Sequence, residues 1–237
     1  MRVRLREKRA ETAEAMSFLF DLEGGSYEYL AGQFTVLELE RLAFPDERGS
    51  RRYLTISSSP TEQGLLMFTT KLTGSGFKET LRQAALGSEV TVEPARGRFV
   101  MLPGEERLRH VFIAGGIGIT PYRSLLRSLV DRKISIQATL FYFERSLPLL
   151  VFRRELEDME RQTPSFSLVP VIREPDPEWR GETGKFDRAL LDRHVPTLED
   201  TLFWICGPPL MVSEIKDILR QMGIPEGSLR TDSFTGY

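Results

Sequence analysis

One cysteine, Cys206, stands in a chain of 237 residues that holds only two histidines, His110 and His194. A lone thiol excludes an intramolecular disulfide and a four-cysteine iron–sulfur cluster within these residues. So few sulfur and imidazole ligands also argue against a Cys/His zinc site, and no metal centre is expected. Both histidines fall outside the motifs below and read as structural or surface residues. No stretch approaches the ~18 consecutive apolar residues of a membrane span. The opening MRVRLREKRAETAEA lacks the apolar run of a secretory signal, so the cytoplasm is the expected compartment. Neither sign of charge is in excess: the net charge is −2, with lysine and arginine dispersed along the chain. That balance argues against nucleic acid as the main partner. The apolar content of 41% is enough for real cores, and the length suits two domains.

What the chain does have is concentrated first in residues 111–126, VFIAGGIGITPYRSLL. Val111 to Ala114 is an apolar run suited to a strand buried on both faces. It stops at Gly115 and Gly116, with a third glycine at Gly118. Thr120 offers an N-cap oxygen, and Pro121 stands where a first helical residue needs no N–H. Leu125, Leu126, Leu129 and Val130 then form a helical stripe, with Arg123, Arg127 and Arg132 at intervening positions. This predicts strand, glycine turn, helix. A turn without side chains lets a ligand approach the backbone, and the helix N-terminus suits a dinucleotide pyrophosphate. A tight turn with no ligand is the plain alternative, and the spacing is not GxGxxG.

Upstream, segments of β character follow one another at Arg2–Glu7, Met16–Asp21, Phe34–Leu39, Tyr53–Ser57, Leu65–Leu72 and Glu89–Glu93. Few helical patterns separate them, which predicts an antiparallel barrel or sandwich. One helix is expected over Gly76–Ala85. Two stretches carry chemistry. Arg51–Pro60, RRYLTISSSP, puts arginines and hydroxyls on a strand, where Arg52 could fork onto a phosphate; a polar edge strand entering a serine-rich loop reads equally well. Thr73-Gly74-Ser75-Gly76-Phe77-Lys78 again sets glycines ahead of a helix, a second anion-binding geometry. Two such sites would suit two nucleotide cofactors.

A charged turn at Pro103–Arg109 marks the expected domain boundary. Beyond the opening unit come strands at 134–143, 166–172 and 201–206, and helices at 149–160, 187–193 and 209–222. Strands alternating with helices predict a doubly wound parallel sheet. Cys206-Gly207-Pro208-Pro209 closes the last of these strands, at the carboxyl edge where such sheets bind ligands. A small buried apolar residue is the other reading of Cys206.

Taken together, these motifs resemble the ferredoxin–NADP reductase superfamily. RYLT at 52–55, preceded by GQF at 32–34, is similar to its flavin signature. GGIGITP at 115–121 is similar to its pyridine-nucleotide signature, and CGPPLM at 206–211 to its nicotinamide-side signature; the terminal SFTGY is also like many bacterial members. The resemblance implies an antiparallel β-barrel FAD-binding domain over 1–104, followed by an α/β NAD(P)H-binding domain over 108–237. It implies that Arg52 binds the FAD pyrophosphate, with Tyr53, Leu54 and the 73–78 loop around the flavin and Thr55 on flavin N5. Gly115, Gly116, Gly118, Thr120 and Pro121 would receive the NAD(P)H phosphates. Cys206, with Gly207 and Pro208, would lie near nicotinamide C4, and Asp232 and Phe234 near the flavin. Leu54 departs from the aromatic usual at its position, and Lys78 from a common serine.

The expected activity is hydride transfer from NADPH or NADH to FAD, with electrons then passed to a separate acceptor such as ferredoxin, flavodoxin or an oxygenase component. The alternatives are a flavin or quinone reductase without a protein acceptor, and a non-catalytic nucleotide-binding module. The nicotinamide preference turns on the ends of two strands. Glu144 there favours the free 2′-hydroxyl of NADH, unless it turns away to pair with Arg145; Arg145 and Arg173 favour the 2′-phosphate of NADPH.

Overall fold

The computed structural model describes residues 1–234, so the last three residues of the SFTGY motif lie outside the described residues. The N-terminal strands are β1 (Arg2–Ala10), β2 (Ala15–Asp21), β3 (Phe34–Leu39), β4 (Arg51–Thr55), β5 (Leu65–Lys71) and β6 (Glu89–Val92). They form one antiparallel sheet in the order β4-β3-β6-β1-β2-β5. Alternation sends Val3 and Leu5, Phe18 and Phe20, and Val90 and Val92 to one curled face. Helix α1 (Gly76–Gln83) plugs that face with Phe77 and Leu81, both fully buried.

The expected barrel does not close as a ladder. The edge strands β4 and β5 meet at a single antiparallel bridge, Ile56 to Phe68. The reason lies in the serine run after β4. Ser57 Oγ accepts the Thr69 N–H at 3.1 Å and Ser58 Oγ accepts the Met67 N–H at 3.0 Å. Hydroxyls thus satisfy the edge donors that a continuing ladder would use.

The second sheet is parallel: β7 (Arg109–Gly115), β8 (Gln137–Glu144), β9 (Phe166–Ile172), β10 (Glu182–Thr183), β11 (Thr201–Gly207) and β12 (Leu229–Ser233), ordered β10-β9-β8-β7-β11-β12. In β11, Leu202, Trp204 and Cys206 face one side, while Phe203 and Ile205 face the other. Helices α2 (Thr120–Asp131) and α3 (Arg153–Gln162) cover the first side; α4 (Arg188–His194) and α5 (Pro209–Gln221) cover the second. The sheet is therefore doubly wound, and strand order reverses at β7 and β11. Neither β10 nor β12 is foreshadowed by the hydrophobic pattern: one has two residues, and the other is the polar edge sequence LRTDS.

The two sheets share a core, in which Ala15, Leu19 and Met67 of the first pack with Leu125 and Leu126 of α2. Arg123 does not sit on the solvent side of that helix. It is 4% exposed, and its guanidinium forks onto Glu62 from the first half (2.8 and 3.0 Å) and Glu155 of α3 (2.8 and 2.9 Å). It also donates to the Ser57 carbonyl at 2.7 Å, and neighbouring Ser124 Oγ donates to the Ser58 carbonyl at 2.6 Å. The helical period puts Arg123 one turn ahead of the apolar stripe, but the first domain, rather than water, lies against that surface.

His110 at the start of β7 is fully buried. Its Nδ1 accepts the Trp204 indole N–H at 3.1 Å, so the proton resides on Nε2, which donates to the Glu105 carbonyl at 3.0 Å. Burial holds its pKa below the ordinary 6.5. In the unfolded chain the imidazole protonates at about 6.5, while the folded one resists. Stability is therefore fully present above that value and falls as the pH drops below it. Urea unfolding at pH 7.5 and 5.5 should show a lower midpoint at the acid pH, and His110→Gln should shrink that difference. An equal difference in the variant would remove His110 as its cause.

Candidate functional site

A cavity of about 390 Å³ opens where the carboxyl edge of the parallel sheet meets β4, β5 and α1. From the first half it is lined by Phe34, Arg48, Arg52, Tyr53, Leu54, Thr55, Thr69, Thr70, Ser75 and Lys78, and from the second by Ile117, Thr120, Asp232, Ser233 and Phe234. The β4 motif and the glycine turn, some sixty residues apart in sequence and on two different sheets, thus face one space. Thr55 is buried on its floor, whereas Tyr53 stands 69% exposed at its rim, edge-on to Phe34.

Three cations gather at one end. Arg52 is buried over the Phe77 ring and donates through Nη1 to the carbonyls of Arg48, Gly49 and Arg51. Its Nη2 meets Asp46 at 2.5 Å. The other Asp46 oxygen accepts the Phe77 N–H of α1 at 2.8 Å, and Ser75 Oγ caps the helix by accepting the Lys78 N–H at 3.3 Å. The Phe77 N–H, with Arg52 adding to it, holds the Asp46 carboxyl below the usual range. Lys78 Nζ donates to Thr73 Oγ1 at 3.1 Å; burial, then the charges of Arg52 and Arg48, bring its pKa down to about 8. It remains mostly cationic at neutral pH. Gly76 is required here by packing: a Cβ would strike the carbonyls of Phe44 and Pro45. Gly74, at φ +76°, needs its freedom to turn the chain into α1. Of the predicted loop, Phe77 lies beneath the site rather than on its wall. Asp46, Arg48, Thr69 and Thr70 belong to none of the motifs; the one sequence signal among them is Arg48, four residues ahead of Arg52.

The glycine turn differs from expectation in two ways. Thr120 does not cap α2 with its side chain: a short 3₁₀ turn, Gly116–Ile119, leads straight into the helix, and Thr120 Oγ1 donates back to the Ile117 carbonyl at 3.1 Å. Pro121 does stand in the first turn of α2. Two of the three glycines serve backbone packing. A Cβ on Gly118 would fall on the Cys206 carbonyl, and one on Gly115 would strike the Met211 sulfur. Gly207 in turn packs against Gly115. The two strand-end turns therefore nest together, and Gly116, at φ +54°, is left to turn the backbone beside Lys71 and Glu144.

Cys206 is fully buried in the shared apolar core and does not line the cavity. Desolvation, with the Asp232 charge adding to it, pushes its thiol pKa well up. Gly207 is buried beside it and Pro208, at the start of α5, is exposed. The Gly207 carbonyl accepts the Phe234 N–H at 3.0 Å, which swings Phe234 over the strand ends. In β12, Asp232 pairs in register with Cys206 and reaches the cavity, and burial raises its carboxyl pKa. Further out, Glu144 pairs with Lys71 across the domains at 3.2 Å rather than with the Arg145 side chain. Arg145 instead pairs with Glu14 at 2.5 Å. Arg173 follows β9, is exposed, and makes no side-chain hydrogen bond or ion pair among the described residues.

Residues 112–217 match the family described as the oxidoreductase NAD-binding domain. The phenol hydroxylase P5 protein of Acinetobacter pittii is 28% identical over 211 residues, covering 87% of this chain and 58% of that protein. This chain thus spans little more than half of that relative's length. Among solved structures, an Amycolatopsis cytochrome P450 reductase superposes with a TM-score of 0.84 at 21% identity, over all of this chain and 70% of the other. The FAD/NAD-binding domain of nitric oxide dioxygenase from Vibrio cholerae gives 0.84 at 21% identity over 98% of both chains.

Proposed function

We propose that this chain, whose fold is that of solved structures such as a ferredoxin–NADP reductase and whose residues 112–217 match the oxidoreductase NAD-binding domain family, is an FAD-dependent NAD(P)H oxidoreductase. The supporting observation is the meeting of the RYLT strand and the glycine turn on one cavity. The donor set fits a flavin dinucleotide: three cations stand at one end, and the Phe77 N–H of α1 already holds an anionic group, the Asp46 carboxylate. Bound FAD would supply acceptance of a hydride from NAD(P)H and release of its electrons to an acceptor.

The residues of the chain do the rest. Arg52, Arg48 and Lys78 hold the flavin diphosphate, and the Thr55 hydroxyl orients the ring from the floor. The 115–121 turn and the N-terminus of α2 receive the NAD(P)H phosphates. Cys206 packs beneath the site and fixes the level of the strand ends, so that the nicotinamide is aligned by shape. Asp232, its carboxyl pKa raised by burial, stands at the cavity wall, while Phe234 and Ile117 exclude water.

The electrons leave for a separate acceptor of oxygenase or ferredoxin type; relatives named as a phenol hydroxylase protein and a cytochrome P450 reductase support that reading. No helix among the described residues is long and apolar enough to cross a membrane, which suits a cytoplasmic exchange of this kind. The test is anaerobic mixing of FAD-loaded protein with NADPH or NADH. Bleaching of the flavin band at a catalytic rate is expected. A bound flavin that neither nucleotide reduces would leave only a nucleotide-binding module.

A further inference from the structure

The cation end of the cavity is already engaged by the protein's own carboxylate. Asp46 Oδ1 accepts from Arg52 Nη2 at 2.5 Å and from the Arg48 N–H at 2.9 Å, and Oδ2 accepts from the Phe77 N–H at 2.8 Å. Its side chain is 5% exposed. The Arg52 Nη1 donors are spent on three backbone carbonyls, which leaves Nε and Nη2 to face a ligand phosphate, and Nη2 is the arm that Asp46 holds. The segment bearing Asp46 is tied down on α1: the N–H groups of Ala43 and Phe44 donate to Thr80 Oγ1 at 3.0 and 3.3 Å, and Pro45 lies on the bare Cα of Gly76.

We propose that Asp46 is an internal competitor for the flavin diphosphate, and that flavin is consequently an exchangeable ligand of this protein rather than a permanently held group. The inference rests on the flavin reading above. A diphosphate and the Asp46 carboxylate require the same two donors, Arg52 Nη2 and the Phe77 N–H. Binding must therefore break a buried, charge-assisted pair and leave a third negative charge beside the two on the ligand. The ring portion gains from Thr55, Leu54 and Tyr53 in full, and Arg48 and Lys78 add their charges to the phosphate portion, but at Arg52 that portion gains only the difference between two anions on one guanidinium.

The test compares FAD with riboflavin, which has the ring and no phosphate, by flavin fluorescence titration of the full chain. Asp46→Asn keeps an acceptor for the Phe77 N–H and removes the charge. It should tighten FAD by roughly tenfold or more, the worth of one charge-assisted hydrogen bond, slow FAD release to match, and leave riboflavin unchanged. Wild-type protein loaded with FAD should lose it on desalting, a measurement that does not depend on the variant folding. Equal or weaker FAD binding by Asp46→Asn at an unchanged melting temperature would make Asp46 the group that positions Arg52, and would overturn the proposal. So would wild-type protein that keeps its FAD through repeated desalting. If neither form binds either flavin, the flavin reading of the cavity itself falls, and this inference with it.

Discussion

Arg123→Ala should cost about 3–5 kcal/mol of folding stability, the loss incurred when one partner of a buried ion pair is removed and the others stay. In urea, with a slope near 3 kcal/mol/M at the upper end of the usual range, that is a midpoint lower by roughly 1 M or more. The size of the effect follows from what is left behind. Glu62 and Glu155 are both turned inward onto the guanidinium, and the Ser57 carbonyl loses its donor. Burial opposes the charge on Arg123, yet its pKa is raised because the hydrogen bonds and charges of the two glutamates outweigh that cost. Arg123→Lys should recover only part of the loss, since an ammonium cannot fork onto two carboxylates. Arg127→Ala, four residues on, removes a partly exposed pair with Asp131 and should cost under about 1 kcal/mol. A loss at Arg123 no greater than at Arg127 would show that the fork adds nothing measurable to the apolar contact and the other links between the domains. Because the fork joins the flavin-side serine loop to the nucleotide-side helix, activity at low urea should decline before the bulk of the secondary structure does.

The sequence made the parallel half legible because its strands are nearly continuous apolar runs and its helices carry clear 3.6-residue stripes. Val111–Ala114 and Thr201–Cys206 announce strands wherever the chain places them. What escaped was polar. The LRTDS strand has no apolar alternation to betray it, and it is pairing with β11 that makes it a strand and carries Asp232 to the cavity. Nothing in the sequence marks Arg123, because helical period tells which residues share a face, and not what lies against that face. The glycines of 115–118 read as room for a ligand, whereas Gly115 and Gly118 are small chiefly because the Cys206–Met211 turn presses on them. Asp46 leaves no signal at all: in Pro45-Asp46-Glu47-Arg48-Gly49 it reads as turn material, and only the fold brings it to Arg52 and to the start of α1.

Replacing Arg173 by alanine should lower kcat/KM for NADPH by roughly ten- to a hundredfold, the worth of one charge-assisted contact to a phosphate, and leave NADH use nearly unchanged. Three charges compete for this role at the ends of β8 and β9, and their partners separate them. Glu144, the group that would welcome a free 2′-hydroxyl, has one carboxylate oxygen on Lys71 and the other on the Arg145 backbone N–H at 2.8 Å. Its side chain is 6% exposed, so it is spent on joining the two domains. Arg145 is drawn to Glu14 of the first domain. Arg173 is exposed and makes no ion pair among the described residues, while its backbone N–H donates to the Glu144 carbonyl at 3.0 Å and keeps it beside the β8 end. An arginine in water with no partner gives up little to bind a phosphate, whereas one already paired must first release its carboxylate. Arg145→Ala should therefore change the two cofactors by the same small factor, through the loss of an exposed cross-domain pair. Steady-state kcat/KM for NADPH and NADH in the wild type and both variants decides the matter. A selective NADPH loss in Arg145→Ala would transfer the role to that residue, and equal losses in Arg173→Ala would mean that neither arginine reads the 2′-phosphate.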